Sequence, residues 1–121
     1  MTTRRVDRAQ DLIREEVSRL LLFRAKDPRL AQVNVTSVKM TKDLKKAVVY
    51  YNTLDDQADR RDIAQSLEKA SGFVRREIGK ILNIKFVPEI QFEFDRSIEY
   101  ARHMEEILKK VAGEADQDNH D

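Results

Sequence analysis

Apolar residues near the start of the chain recur at the spacing of one helix face, within residues 4–24. The positions are Val6, Ile13, Val17, Leu20 and Leu21. The proline in the sequence KDPRL ends this helix, because proline disfavours helical geometry in the residue before it. Two segments rich in β-branched residues follow, 33–40 and 47–53, and their short connection predicts an antiparallel hairpin. The alternation of the first segment slips after Val35, which predicts a bulge or a change of buried face.

A long helical segment is predicted up to residue 82, with Asp59 as its N-cap. Its apolar positions are Ile63, Leu67, Ala70, Val74, Ile78 and Ile81. Ser71 and Gly72 interrupt the segment without shifting its apolar phase, so we expect a kink followed by a second helical half. The side opposite the apolar face carries Lys69, Gly72, Arg76 and Lys80, with Arg75 beside them. If Ser71 caps the second half, free N–H groups lie beside these cations, which suits a phosphate. The alternative is a structural kink with solubilising arginines.

Alternation of Ile90, Phe92 and Phe94 with polar residues predicts a third strand that has one buried face. A last helix is predicted over about residues 97–111, and we expect one of its faces to point into the core. That face contains Ile98, Ala101, Met104, Leu108 and Val111. The order of elements indicates an α+β domain over residues 1–111, with helices on one face of a three-stranded sheet. Residues 112–121 contain four acidic residues and no basic one, so we expect an acidic disordered tail.

Charge is distributed unevenly, although the net charge of the chain is only +1. Residues 1–46 contain 12 Lys and Arg against 6 Asp and Glu, and residues 60–86 contain 7 against 3. Residues 87–111 are acidic, with 4 against 6. Besides the long helix, the basic clusters are Arg4, Arg5 and Arg8, and Lys42, Lys45 and Lys46. Three clusters on a small domain predict a surface for a polyanion such as RNA, although a basic stretch is more often only a solvated face.

Several classes of function find little support in the residues. The chain has no cysteine, which excludes disulfides, zinc–thiolate sites and cysteine nucleophiles. Glu99, His103 and Glu106 share a helix face, but three residues without further ligands are more simply a solvated face. We therefore expect no catalytic residue, metal or other cofactor. No apolar run approaches the ~20 residues of a membrane helix, so we expect a soluble cytoplasmic protein.

Four stretches resemble, in order and spacing, the bacterial ribosome-binding factor A family over about residues 4–108. They are DPRL (27–30), VTSVKMTKDLKKAVVYYN (35–52), LEKASGFVRREIGKIL (67–82) and VPEIQFEFDRSIEYARHMEEIL (87–108). The resemblance implies a KH-like fold of the second topological type, with an α-β-β-α(kinked)-α-β core plus a C-terminal helix. Ala70-Ser71-Gly72 matches the kink that replaces the usual Gly-x-x-Gly loop. Lys69 stands where that loop has its first glycine, so we expect structured rRNA in place of a few clamped nucleotides.

The resemblance also implies a function. The family binds free small (30S) ribosomal subunits and assists late maturation and processing of 16S rRNA near its 5′-terminal helix, without catalysis. The implied partner is 16S rRNA in the free subunit, with contacts to ribosomal proteins allowed, and we expect a monomer that has no membrane partner. The alternative is a protein-interaction module on the ribosome with incidental RNA contact, and a nuclease is a distant third.

Overall fold

The computed structural model describes residues 2–54, 59–82 and 86–118. Helix α1 (Thr2–Arg19) continues into a π-helical turn, Leu20–Arg24. The turn buries Leu20 and Leu21, whereas the next two apolar residues stay exposed. A short 3-10 helix, Pro28–Gln32, then leads into the sheet. The predicted first helix is therefore present, and it ends before the KDPRL proline as expected.

The sheet has three strands in the order β1 (Val33–Met40), β2 (Lys46–Thr53) and β3 (Glu89–Phe94). Strands β1 and β2 are antiparallel, and β2 and β3 are parallel. The register of β1 shifts between Val35 and Ser37, which confirms the bulge, one of the two explanations predicted for the slip in alternation. A parallel pair needs a long crossover, and the helix between β2 and β3 supplies it.

The two faces of the sheet differ in character. One face packs into the core through Val35, Val38, Met40, Ala47, Val49, Tyr51 and Ile90. The core also contains residues of α1 and of the helix after β2, so the α+β fold class predicted from the sequence is confirmed. The opposite face, which we call the open face, presents Ser37, Lys39, Val48, Tyr50, Gln91 and Glu93.

Helix α2 (Arg60–Ile81) begins at Asp59, whose carboxylate accepts hydrogen bonds from the N–H groups of Arg61 and Asp62, as predicted for the cap. The predicted apolar face of α2 is buried, except that Ala70 is half-buried and Ile81 is 39% exposed.

The structure differs in one respect from the two predicted helical halves, because α2 is a single uninterrupted element. The hydroxyl of Ser71 donates to the carbonyl of Glu68 at 2.7 Å. Ser71 is therefore not an N-cap, and no helix N-terminus lies at Gly72. A serine that bonds back to the preceding turn often bends a helix without ending it. The predicted phosphate site at free N–H groups was wrong.

Gly72→Ala is expected to stabilise the protein by up to about 1 kcal/mol, because alanine favours a helix interior over glycine. Gly72 has no positive φ, and an added Cβ would meet only Nη1 of Arg76, at 3.8 Å. Urea unfolding of both proteins measures the difference. If Gly72→Ala instead lowered stability, the added methyl group would have to clash with a neighbour, which would contradict the space found around Gly72.

The last helix, α3, runs from Ser97 to Asp118, seven residues past the predicted end at Val111. The part of the predicted tail from 112 to 118 is thus helical, and residues 119–121 lie outside the described residues. The prediction that α3 turns an apolar face into the core was wrong: Ile98 is 53% exposed, Leu108 62% and Val111 57%. The helix-covered face of the sheet is already occupied by α1 and α2.

Within the described ranges, no helix combines the length and apolar character that crossing a membrane requires.

Candidate nucleic-acid interface

A groove of about 320 Å³ lies between the segment 24–30 and α2. Its apolar walls are Ala25, Leu30, Ala70 and Phe73. Its polar and charged walls are Arg24, Lys26, Asp27, Ser66, Lys69 and Arg76. We call this surface the helix groove. Four cations against one carboxylate give it a positive balance.

The carboxylate of Asp27 fixes one wall of the helix groove to the other. It accepts hydrogen bonds from the guanidinium of Arg29 at 2.9 Å and from the buried hydroxyl of Ser66, on α2, at 2.7 Å. It also accepts from the backbone N–H of Arg29, which caps the 3-10 helix. These bonds, first those of Arg29 and then that of Ser66, hold the pKa of Asp27 well below its usual range. Because Arg29 balances its charge, Asp27 opposes an anion in the groove only weakly.

Asp27→Asn is expected to make stability less sensitive to acid. A carboxyl group with a lowered pKa in the folded protein stabilises it above the ordinary pKa of about 4, and this contribution is lost as the pH falls. The wild-type free energy of unfolding should therefore fall more steeply than that of the variant between roughly pH 5 and pH 2. Urea titrations across this range test the difference, because the other carboxylates titrate equally in both proteins. Parallel curves would contradict the assignment.

The cations of the helix groove fall into two groups. Arg24 pairs with Glu77 at 3.1 Å, and its guanidinium lies 5.9 Å from the ring centroid of Phe73. Lys26, Lys69 and Arg76 have no ion-pair or hydrogen-bond partner among the described residues, and all three are exposed. They are therefore available to an anionic ligand. Free cations around an apolar wall are typical of surfaces that bind a sugar–phosphate chain.

The basic row predicted on α2 is divided by the structure. Lys69 and Arg76 line the helix groove, and Gly72 is exposed on the same helix. Arg75 instead donates to the carbonyl of Val87 at 3.2 Å, on the side of α2 that approaches β3. Lys80 pairs with Glu77 at 3.0 Å, so its charge is partly neutralised.

The other predicted cations lie at the end of the sheet that contains the β1–β2 hairpin, which we call the hairpin end. The side-chain carbonyl of Gln10 accepts from the N–H of Met40, which holds the first half of α1 there. The carbonyl of Lys45 accepts from the N–H of Glu89, two residues after the carbonyl that Arg75 contacts. The predicted residues in this region are Arg4, Arg5, Arg8, Lys42, Lys45 and Lys46. They are exposed, except that Lys46 is half-buried.

Sequence reasoning missed Arg24 and Lys26 as members of the site. They precede the DPRL stretch by only a few residues, but about 40 residues separate them from α2. The sole sequence signal was DPRL itself, because its Asp27 makes the bond to Ser66 that brings the two segments together.

A three-stranded sheet with helices on one face and a cationic groove beside them defines a small α+β domain. The sequence model of the ribosome-binding factor A family matches residues 5–108. The chain belongs to this family of ribosome-binding factors.

Individual proteins agree with this assignment. The ribosome-binding factor A of Geobacter sulfurreducens is 40% identical over 115 residues, which cover 95% of this chain and 98% of the relative. The crystal structure of ribosome-binding factor A from Thermus thermophilus superposes with a TM-score of 0.66 at 16% identity, covering 76% of this chain and 98% of that one. A homology model of the Thermus thermophilus ribosome binding factor A, fitted into a cryo-electron microscopy map of a 30S complex, gives 0.55 at 20% identity, covering 75% and 91%. At these identities the two structures support the fold alone.

Proposed function

We propose that this protein binds the free small (30S) ribosomal subunit and, without catalysis, assists late maturation and processing of its 16S rRNA near the 5′-terminal helix. Family membership supports the ribosomal part of the proposal. The observation that carries the RNA part is the helix groove, in which three cations without a partner in the described part of the chain lie around an apolar wall. We assign the RNA-binding domain to residues 1–111, acting as a monomer in the cytoplasm.

The arrangement of the helix groove suits the backbone of structured RNA better than individual bases. Lys26, Lys69 and Arg76 would neutralise successive phosphates, and Arg76 also offers a bidentate contact. Phe73 supplies an apolar wall that a ribose can cover. The exposed Gly72, which has no side chain, allows a close approach of the RNA backbone to α2. These contacts position RNA by shape and charge, as expected for a partner that is already folded.

The hairpin end would form a second phosphate contact. Its cations lie on α1 and on the hairpin, and Arg75 of α2 lies near them through its bond to Val87. The hydrogen bonds of Gln10 and Lys45 hold these segments together. Two separate basic surfaces on one domain would allow it to bridge two segments of rRNA. Such bridging favours one arrangement of the segments over others, which is a way to assist maturation without a chemical step.

Co-sedimentation of the full chain with free small subunits, and separately with assembled ribosomes, tests the proposal. We expect binding to free subunits that weakens with salt, with a log–log slope of about −0.7 to −0.9 for each phosphate contact. Equal binding to both particles would contradict a role in subunit maturation. Binding that is insensitive to salt would favour the alternative, a protein-interaction module with incidental RNA contact.

A further inference from the structure

A shallow pocket of about 530 Å³ lies on the open face, where β3 meets the first turn of α3. Its main side chains are Tyr50, Glu93, Asp95, Arg96 and Tyr100, and we call it the tyrosine pocket. Because α1 and α2 cover the other face, the sheet separates this pocket from the helix groove.

The carboxylate of Asp95 is held in one position in the tyrosine pocket. Its carboxylate accepts hydrogen bonds from the hydroxyl of Thr36 at 2.6 Å and from the N–H of Ser97 at 2.9 Å, and it also accepts from the Ser97 hydroxyl. Bonds from Ser97 first, and then from Thr36, hold the pKa of Asp95 below its usual range. Thr36 lies at the bulge of β1, so this one carboxylate ties β1, β3 and α3 together. The pocket therefore holds a permanent negative charge in a rigid frame.

The aromatic rings in this region already attract cations. The ammonium of Lys39 lies 5.8 Å from the ring centroid of Tyr50, and the guanidinium of Arg60 lies 4.1 Å from that of Phe94. Tyr100 is 67% exposed, and its ring has no comparable cation partner among the described residues. An aromatic face that lies beside a carboxylate is a favourable site for a further cation.

Glu93 supplies a carboxylate that can accept hydrogen bonds from a ligand in the tyrosine pocket. Its Oε1 accepts from the side-chain amide of Gln91 at 2.8 Å, while Oε2 accepts none of the hydrogen bonds formed among the described residues. Glu93 is exposed at the mouth of the pocket, and Gln91 restricts its orientation. An oriented carboxylate next to a free aromatic ring matches the two ways in which a planar guanidinium binds, by paired hydrogen bonds and by stacking.

We propose that the tyrosine pocket binds an arginine side chain of a basic protein segment. Glu93 and Asp95 are the negative walls of the pocket and Arg96 is its positive wall, while Lys39 and Arg60 at its border already lie against the rings of Tyr50 and Phe94. The carboxylate of Glu93 and the uncovered Tyr100 therefore offer a further guanidinium its paired hydrogen bonds and its stacking surface. The surrounding stretch, residues 87–111, is also acidic, with 6 Asp and Glu against 4 Lys and Arg. This partner is additional to the RNA of the proposed function. The two faces of the sheet would then contact rRNA on one side and a basic protein on the other.

Fluorescence anisotropy with a labelled peptide of alternating arginine and glycine tests the proposal on the full chain. Tyr100→Ala and Glu93→Gln should each weaken binding by about tenfold, whereas Tyr100→Phe, which keeps the ring, should not. Glu105→Gln is the matched control, because it removes the same charge from an exposed position of α3 outside the pocket. A lysine–glycine peptide of equal length should bind more weakly, since an ammonium cannot stack or form the paired bonds.

Equal losses for Glu93→Gln and Glu105→Gln would reduce the effect to general charge and overturn the proposal. Full peptide binding by Tyr100→Ala would also overturn it. If Tyr100→Ala weakened binding to a single-stranded RNA oligonucleotide and not to the peptide, the pocket would be a nucleobase site instead. Replacing Lys69 and Arg76 with glutamate should leave peptide affinity unreduced, which separates this site from the helix groove. Both pocket residues are exposed, and circular dichroism checks that each variant folds.

Discussion

Replacing Lys69 and Arg76 together with glutamate is expected to weaken binding to free small ribosomal subunits by about a hundredfold or more at moderate salt. Both side chains line the helix groove, and neither has an ion-pair partner among the described residues. The change therefore removes two phosphate contacts and introduces two repulsive charges, without breaking an internal bond. The salt slope should also become shallower by about 1.4 to 1.8, the contribution of two contacts. Co-sedimentation over a range of salt concentrations measures both effects.

The matched control is Arg102→Glu with Lys109→Glu, which changes net charge by the same amount at exposed positions of α3. We expect a much smaller loss, because only long-range attraction is affected. Equal losses in both pairs would mean that overall charge, and not the helix groove, drives binding. Arg75→Glu is a separate test of the hairpin end, because Arg75 lies on the other side of α2 and donates to the carbonyl of Val87.

Gly79→Ala is expected to lower the free energy of unfolding by about 1–3 kcal/mol, even though alanine favours a helix. A Cβ at this position would lie 2.8 Å from Cγ2 of Val87, closer than two carbons can approach without a shift. Val87 has little freedom to move, because its side chain is β-branched, its carbonyl is held by Arg75 and Pro88 after it is buried. The glycine thus sets how closely α2 approaches the start of β3.

Val87→Ala provides the control for this prediction. The clash is relieved when Val87 is shortened, so the double variant should lose less stability than the sum of the two single variants. Urea unfolding of all four proteins gives the interaction energy. Strict additivity would show that Val87 is not the cause of the loss at Gly79.

Patterns within one element predicted the fold well. The bulge after Val35 follows from a change of parity within one strand, and the cap at Asp59 follows from the residue type before an apolar run. The prediction of an inward face for α3 was wrong, for the opposite reason. Periodicity shows that a helix has an apolar side, but not whether another element covers that side. In this chain α1 and α2 already occupy the face of the sheet that α3 would need.

The candidate site was predicted in part. Lys69 and Arg76 follow from position on the outer face of α2, but Arg75 does not, because one residue turns the helix by about 100°. That rotation takes the Arg75 side chain away from the helix groove to Val87. Arg24 and Lys26 join the groove through contacts between segments about 40 residues apart, which no local pattern contains.

By itself the sequence determined the family, the strands, the Asp59 cap of α2 and the excess of positive charge on the first half of the chain, because each depends on residue type and short-range spacing. Only the tertiary structure decided which cations share a groove and which glycine is indispensable for close contact. The Ser71-Gly72 pair looked like the special point of α2, yet an added Cβ at Gly72 has room and one at Gly79 has none. The reason is physical: the cost of a side chain depends on the distance to atoms of other elements, and folding alone sets that distance.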